Sequence, residues 1–231
     1  MDPNKLRELA LFIVPLLLSL SFHEMCHAWA AYKLGDDTGR LLGRLTMNPL
    51  PHIDPIGTIV FPISSLFMGG GMLFGWAKPV PVNSLNLKGD HRKSLLWVSL
   101  MGPLSNFLLA FVSTILFALI IKFFPNMNVT AAQFLLGMLG SAILLNLTLC
   151  FFNLIPIPPL DGFGVLTGLV PRNLAETLES LAPYGFLLLL LMWYTGIAGF
   201  IGAPIRLALH WLLYLGSTLF QISLFPYFPH I

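Results

Sequence analysis

The sequence predicts an all-α polytopic membrane protein with about five to six transmembrane helices, and three observations support this fold class. Hydrophobic residues make up 56% of the 231 residues and charged residues only 10%, whereas soluble domains have about 45–50% and about 25%. The mean hydropathy is +0.82, and several apolar runs reach the roughly 20 residues that a bilayer-spanning helix needs. We expect a single integral membrane domain over residues 1–231. The net charge of +2 is too small to indicate a nucleic-acid partner.

The long apolar runs predict helices, and proline and glycine mark where these helices end. The first helix is expected over residues 9–33, where the run is too long for a cleaved secretory signal and indicates a retained span. The further helices are expected over residues 95–122, 131–154, 163–170, 184–202 and 204–224. Of these, 163–170 is too short to cross a bilayer, and Gly196 and Gly199 interrupt 184–202. Three prolines between 155 and 160 remove backbone donors and break the chain before the short helix.

Residues 56–74 are apolar but would make a poor straight helix. Pro55, Gly57 and Pro62 lie at or inside this segment, and three consecutive glycines follow at 69–71. All of these disfavour a continuous helix. The segment therefore predicts a re-entrant, β-like element after the first helix, with strand character at residues 58–63.

The placement of Lys and Arg predicts the orientation in the bilayer. If residues 56–74 re-enter, eight of the twelve basic residues lie on one side and four on the other. The first group contains Lys33, Arg40, Arg44, Lys78, Lys88, Arg92, Lys93 and Arg172, and the second contains Lys5, Arg7, Lys122 and Arg206. The positive-inside rule then places the N-terminus outside and the C-terminus inside, with the site described next opening to the cytoplasm.

A motif of two histidines and a glutamate lies inside the first predicted helix, as His23-Glu24-Met25-Cys26-His27. Residues four apart on a helix project from one face, so both imidazoles can reach one metal ion, and Glu24 is close enough to act as a general base. H-E-x-x-H on a helix is typical of zinc metallopeptidases. Ionisable side chains in a membrane span are costly and indicate function. The motif lies roughly 16 Å from the helix end, which predicts a submerged site.

Cys26 and Cys150 both lie in apolar runs, and their spacing does not resemble a disulfide framework. We expect buried free thiols. A thiolate can bind zinc, but on a helix Cys26 points away from the face shared by His23 and His27.

The third metal ligand must come from another part of the chain, because a catalytic zinc takes three protein ligands and keeps one open position. The best candidate is Asp161, which follows the proline-rich break and precedes Gly162. Irregular backbone at membrane depth occurs only in a protein interior or beside a water-filled cavity, and a carboxylate there favours a cation. The alternative is that Asp161 caps the short helix beginning near Phe163.

Three motifs together resemble the site-2 protease (M50) family of intramembrane zinc metalloproteases. They are H-E-x-x-H at 23–27, Gly102-Pro103-Leu104-Ser105-Asn106, and N-x-x-P-x-x-x-L-D-G at 153–162, in the order that the family has. Residues 48–57 and 75–83 also resemble one bacterial and archaeal branch. The family often carries PDZ or CBS domains, and this chain resembles a compact prokaryotic branch without them.

The resemblance implies a catalytic core of three transmembrane helices at about residues 9–170, followed by C-terminal helices at about 184–225. It implies that His23, His27 and Asp161 bind one catalytic Zn²⁺ and that Glu24 is the catalytic base. It also implies regulated intramembrane proteolysis, in which peptide bonds within or near transmembrane segments of membrane protein substrates are hydrolysed in the bilayer of a prokaryotic plasma membrane. The physiological substrate and the oligomeric state stay open.

Three further polar residues are candidates for the site. Asn106 is a candidate donor to a substrate carbonyl or oxyanion, with an interhelical hydrogen bond as the alternative. Asn153 shares with Asn146 a helix face pointing toward Asp161, either to bind substrate or to join helices. His52 is expected either to orient groups around the metal ligands or to anchor its own loop.

Two other classes of function fit parts of the sequence. An ion or small-solute transporter could use the intramembrane His, Glu and Asp cluster beside a broken helix as an ion path, although the sequence has no inverted repeat. An inactive relative serving as a scaffold is the other class, and the presence of all four motif residues disfavours it. The i,i+4 histidine pair with an adjacent glutamate favours metal-assisted hydrolysis.

Overall fold

The structure is a computed structural model that describes residues 3–60, 64 and 75–228. Within these residues the chain is helical and contains no strand. In chain order, the α-helices are α1 (Pro3–Lys33), α2 (Thr38–Leu41), α3 (His91–Phe123), α4 (Val129–Asn153), α5 (Asp161–Leu169), α6 (Arg172–Glu179), α7 (Gly185–Tyr194) and α8 (Gly202–Phe220). Short 3-10 turns lie at Leu50–His52, Ser84–Asn86, Ala182–Tyr184, Ile197–Ile201 and Phe225–Tyr227.

Four helices in the described chain, α1, α3, α4 and α8, are long and apolar enough to cross a membrane. The segments Arg172–Glu179 and Ala182–Tyr194 pass the same test only together, and a bend of 41° separates them. The described residues therefore contain four candidate membrane spans, or five if this bent pair is counted as one span. The predicted helices over 9–33, 95–122, 131–154 and 204–224 correspond to the four single-helix candidates.

The span expected over residues 184–202, with its predicted interruption at Gly196 and Gly199, is broken in the structure between α7 and the 3-10 turn Ile197–Ile201. Helix α7 has 10 residues, which is about 15 Å of rise against a hydrocarbon core about 30 Å thick. It ends before Gly196, whose φ of 75° lies in the left-handed region and is typical of a residue just past a helix end. The predicted interruption at Gly196 is therefore confirmed, and Gly199 lies within the 3-10 turn Ile197–Ile201.

The strand expected at residues 58–63 is absent where the structure describes this segment. Pro55–Val60 forms a π-helical turn, whose first amides, those of Ile56 and Gly57, donate to the Asp54 carboxylate. The strand prediction is therefore wrong for Thr58–Val60. Residues 61–63 and 65–74 lie outside the described residues, so the re-entrant element remains a prediction.

Helix α3 is the centre of the fold, because it contacts α1, α4, α5 and α8. It begins four residues before its predicted start, since the Asp90 side chain accepts hydrogen bonds from the amides of Arg92 and Lys93 and so caps the helix. A buried apolar cluster that includes Phe117, Leu147 and Leu213 joins α3 to α4 and α8. In lipid, such close packing rather than hydrophobic burial holds helices together.

The short helix α5 lies directly against α3, and this contact determines where Asp161 can be. A Cβ at Gly164 would lie 2.2 Å from Ser99 Oγ, and one at Gly168 would lie 2.5 Å from Leu96 Cβ. Only glycine therefore permits this approach. At the other end of α5, the Arg92 guanidinium donates to the carbonyl of Thr167 at 2.5 Å and to that of Val170. These contacts fix α5 along α3 and hold its first residue, Asp161, over α1.

Candidate metal centre

Three side chains from two distant parts of the chain converge between α1, α3 and α5. His23 Nε2 lies 3.1 Å from Asp161 Oδ2, and His27 Nε2 lies 3.3 Å from Asp161 Oδ1. The two Nε2 atoms are 3.0 Å apart. One ligand atom from each residue lies within 4.8 Å of the others, a spacing that could hold a metal ion. Both histidines are buried, and the Asp161 side chain is 19% exposed.

The local sequence explains why these side chains meet. His23 and His27 are one helical turn apart on α1, so their rings stack on one face, with centroids 4.6 Å apart. Asp161 is the first residue of α5, and the residue that caps this helix is Leu160, which makes no side-chain capping bond. The Asp161 carboxylate is directed at the two imidazoles. The alternative prediction, that Asp161 caps a helix beginning near Phe163, is therefore wrong.

Hydrogen bonds assign the proton on the His27 ring. Its Nδ1 lies 2.8 Å from the carbonyl oxygen of Val98, which can only accept. In the neutral ring the proton is therefore on Nδ1, and Nε2 presents its lone pair toward Asp161.

A buried chain of amides makes the same assignment for His23. Asn146 Nδ2 donates to the Ala142 carbonyl and to Ser19 Oγ, both at 2.8 Å, and this fixes Asn146 Oδ1 as the acceptor of the Asn106 amide at 2.8 Å. The oxygen of Asn106 then faces His23 Nδ1 at 2.6 Å, so Nδ1 carries the proton. Asn106 and Asn146 are fully buried, and their network joins α1, α3 and α4.

The resulting site fits a cation. Two imidazole lone pairs and a carboxylate face one another across about 3 Å, an arrangement that is repulsive unless a positive charge lies among them. Asp161 Oδ2 is buried and has no hydrogen-bond partner among the described residues. Native structures rarely tolerate such an atom, and when they do it often lies at a functional site. Nitrogen and carboxylate ligands suit zinc, and three protein ligands are typical of a catalytic zinc.

Glu24 lies beside this cluster but does not belong to it. Its side chain is buried, and Oε2 accepts a hydrogen bond of 2.8 Å from the backbone N–H of Val80. Among the described residues, the group of potential metal ligands comprises only His23, His27 and Asp161. A buried carboxylate held by one N–H next to a metal centre is positioned to exchange a proton.

Gly102 on α3 forms the wall of the cluster. A Cβ at this position would lie 2.3 Å from His27 Nε2 and 2.6 Å from His23 Cε1, well inside the closest distance that real Cβ atoms show. Glycine here lets the α3 backbone come into direct contact with both imidazoles.

The other predicted site residues have different surroundings. Both polar atoms of the Asn106 side chain are hydrogen-bonded within the protein, which is the interhelical role predicted as the alternative to oxyanion binding. The Asn106 oxygen also orients the His23 ring. Asn153 donates to the Leu149 carbonyl of its own helix at 3.0 Å. His52 is buried and donates through Nε2 to the Thr46 carbonyl at 3.0 Å. In the described chain, neither Asn153 nor His52 has a hydrogen bond to the cluster.

Sequence reasoning missed three features of the site. The Val80 donor is a backbone group and has no sequence signature. Asn146 was expected to join helices, but its part in orienting Asn106 was not foreseen. Ser19 lies one turn before His23, and a polar residue at that spacing in an apolar run was the available signal. Cys26 and Cys150 are buried free thiols, as predicted.

Comparison with known proteins gives one family and several relatives. The model of Peptidase family M50 matches residues 11–135, which is more than half of the chain. "Putative zinc metalloprotease YwhC" of Bacillus subtilis is 37% identical over 192 residues, which cover 83% of this chain and 84% of that protein. "Putative zinc metalloprotease Rip2" of Mycolicibacterium smegmatis is 34% identical over 190 residues, covering 80% and 67%. Rip2 of Mycobacterium tuberculosis is 35% identical over 169 residues, covering 72% and 59%. No solved structure matches the chain significantly.

Proposed function

The chain belongs to peptidase family M50 and is a zinc metalloprotease, and from this premise we propose that it hydrolyses peptide bonds within or near transmembrane segments of other membrane proteins. The main observation in support of the proposal is the position of the candidate metal centre inside a helix that is apolar enough to cross a bilayer. His23 and His27 lie in the interior of α1, a helix apolar enough to cross a bilayer, and are ten and six residues from its end at Lys33. A protease acting only on soluble chains has no need of ionisable groups at that depth.

His23, His27 and Asp161 are the residues that would hold the zinc ion. When bound, zinc supplies polarisation of the scissile carbonyl and acidification of a water molecule. The Nδ1 bonds to Asn106 and to the Val98 carbonyl hold the two rings in the tautomer and orientation that leave Nε2 free. Such supporting bonds commonly change metal affinity by about 10–100-fold when they are removed.

Glu24 would act as the general base and then as the general acid. Its carboxylate takes a proton from the attacking water and later gives it to the amine of the leaving peptide. A positioned acid–base group contributes about 10²–10⁴-fold to the rate. Because Oε2 is occupied by the Val80 N–H, Oε1 is the oxygen available for the proton.

We further propose that the enzyme is a multi-pass protein of a prokaryotic plasma membrane and that its centre opens to the cytoplasm. The relatives are bacterial proteins. The larger group of Lys and Arg residues lies between Lys33, the last residue of α1, and Lys93 near the start of α3, with Arg172 at the start of α6. The positive-inside rule assigns the side with more Lys and Arg to the cytoplasm. Water needed for hydrolysis would reach the centre from that side. Membership of a peptidase family favours this account over the transporter alternative.

A cleavage assay in lipid vesicles tests the proposal. The purified enzyme is reconstituted with a tagged single-span peptide, with and without a zinc chelator. We expect cleavage that the chelator abolishes and that Glu24→Gln reduces by about 10²-fold or more, while the variant keeps its zinc. Glu8→Gln is the matched control, since Glu8 is an exposed carboxylate on the same helix and should leave the rate unchanged.

Two outcomes would overturn the proposal. If Glu24→Gln cuts the single-span peptide at the wild-type rate, Glu24 is not the base. If the enzyme cuts a water-soluble peptide with the same scissile sequence but not the membrane-embedded one, it is a zinc protease without the intramembrane activity proposed here.

A further inference from the structure

Residues 75–83, here called the strap, form neither helix nor strand and pass α1 at Glu24. Every second backbone amide of the strap, from Trp76 to Val80, donates a hydrogen bond to the rest of the protein. The Trp76 amide donates to the Gly57 carbonyl at 3.1 Å, the Lys78 amide donates to the His52 carbonyl at 2.9 Å, and the Val80 amide donates to Glu24. Pro79 and Pro81 alternate with these donors and limit the backbone freedom of the strap.

A buried arginine holds the middle of the strap. The Arg44 guanidinium donates to the Pro79 carbonyl at 2.9 Å and to the Pro51 carbonyl, and it lies 3.5 Å from His52 Nδ1. Arg44 is only 5% exposed, and no carboxylate within the described residues forms an ion pair with it. A buried charge is costly unless it is hydrogen-bonded, and here the bonds go to backbone carbonyls. Arg44 therefore joins the strap at Pro79 to the loop that contains Pro51.

A buried aspartate holds the far end of the strap. Asp36 is fully buried, and its carboxylate accepts from the Asn83 amide at 2.7 Å, from Asn86 Nδ2 at 3.0 Å and from the Thr38 hydroxyl at 2.6 Å. Burial by itself would raise the pKa of Asp36, but these hydrogen bonds outweigh it and keep that pKa below its usual value. The ionised carboxylate therefore ties the turn after α1 to the strap.

We propose that the strap is a positioning device for Glu24, acting through the Val80 N–H, and that Arg44 and Asp36 are the positioning residues that hold the strap in place. The inference rests on the proposed role of Glu24 as the base. Val80 lies between the two anchors, one residue after the carbonyl that Arg44 binds and three before the amide that Asp36 binds. Within the described chain, neither anchor has a hydrogen bond or ion pair with His23, His27 or Asp161, so their effect on the reaction passes through the Val80 hydrogen bond.

The physical consequence is control of one carboxylate orientation. A Glu side chain has three rotatable bonds, and the hydrogen bond from Val80 to Oε2 restricts them to one orientation of the carboxylate. Misplacement of a reacting group by about 1 Å commonly costs about 10²-fold in rate. Loss of the donor should therefore lower kcat and leave substrate binding and zinc content unchanged.

A pair of substitutions at Val80 isolates the hydrogen bond. Val80→Pro removes the N–H, whereas Val80→Ala keeps it and removes most of the side chain, which packs near Gly39. We expect Val80→Pro to lower kcat about 10- to 100-fold, with KM within about twofold and one zinc per chain, and Val80→Ala to keep the wild-type kcat. Equal losses of kcat in both variants would show that the Val80 side chain, and not its N–H, is responsible. Loss of zinc in Val80→Pro would show that the substitution disturbs the metal ligands and would also contradict the inference.

Backbone hydrogen exchange supplies a readout that does not depend on activity or on Val80→Pro folding. Because Pro79 and Pro81 have no N–H, residues 79–82 contain only the Val80 and Val82 amides. We expect Val80 to exchange slowly in the wild type and faster in Glu24→Ala, which removes the acceptor. Arg44→Met, which removes the anchor, should also speed this exchange, and Arg44→Lys, which keeps a donor, should partly restore it. Unchanged exchange at Val80 in Glu24→Ala would overturn the inference.

The results also separate this inference from the proposed function. If the Glu24→Gln enzyme is active, both the role of Glu24 as the base and the positioning role of the strap are refuted. An inactive Glu24→Gln enzyme combined with a fully active Val80→Pro enzyme would leave the base in place and refute only the strap.

Discussion

The contact between Gly102 and the two histidines makes Gly102→Ala the sharpest perturbation of the metal centre. The added Cβ would lie 2.3 Å from His27 Nε2, 2.5 Å from His27 Cε1 and 2.6 Å from His23 Cε1. Ordinary contact begins at 3.4 Å, so the His27 ring would have to retreat by about 1 Å. The substitution itself favours the α3 helix, because alanine is preferred over glycine by about 1 kcal/mol.

The rings cannot retreat without breaking the bonds that orient them. His27 Nδ1 lies 2.8 Å from the Val98 carbonyl, and His23 Nδ1 lies 2.6 Å from Asn106. A shift of about 1 Å along either direction takes these pairs beyond hydrogen-bonding distance. We therefore expect Gly102→Ala to weaken zinc binding by about 10–100-fold and to lower the cleavage rate by about 10²-fold, while the protein still folds.

The assay compares zinc retention and cleavage in detergent-purified protein. Zinc content is measured after dialysis against graded concentrations of a chelator, and the single-span peptide is cut under zinc saturation. Gly140→Ala is the matched control, because the nearest side chains to its Cβ among the described residues would be 3.9 Å away, which is ordinary contact. Wild-type zinc affinity and cleavage in Gly102→Ala would show that the α3 backbone does not constrain the ligands and would refute the reasoning.

Two further predictions concern groups around the centre. Asn106→Leu removes the acceptor that orients His23 and should weaken zinc binding by about 10–100-fold in the same chelator titration; wild-type affinity would contradict this role. Asp36 has a pKa held below its usual value, so its stabilising effect is complete above its unfolded-state pKa of about 3.9 and is lost as the pH falls through the lowered folded-state pKa. In thermal unfolding at a series of acidic pH values, Asp36→Asn should be less stable than the wild type near neutrality, with the difference shrinking toward low pH, whereas a constant difference would contradict this assignment.

The helices were predictable where length, composition and spacing suffice. The i,i+4 rule places His23 and His27 on one face whatever surrounds α1, and apolar runs of 20 or more residues gave the four straight spans. Gly196 and Gly199 predicted the interruption of residues 184–202, because glycine disfavours a continuous helix. The left-handed Gly196 and the short α7 depend on backbone geometry that hydropathy does not contain.

The residue types of the site could be predicted from the sequence, but most of the contacts that place them could not. Asp161 was a candidate ligand from its proline-rich break, but its approach to α1 depends on two glycines of α5 and on Arg92, none of which carries a sequence signal for that contact. Asn106 was a candidate by residue type, yet its orienting role requires Asn146, 40 residues away. The Val80 donor could not be predicted, since every residue except proline offers a backbone N–H.

X-ray absorption at the zinc edge, measured on the purified zinc-loaded enzyme, tests the central claim most directly. If His23, His27 and Asp161 hold the ion, the spectrum will show only nitrogen and oxygen neighbours at about 2.0–2.2 Å, with the scattering pattern of two imidazoles, and Asp161→Ala will change that shell. A sulfur neighbour at about 2.3 Å, which would mean a cysteine ligand, or the pattern of fewer than two imidazoles, would contradict the ligand set on which this account depends.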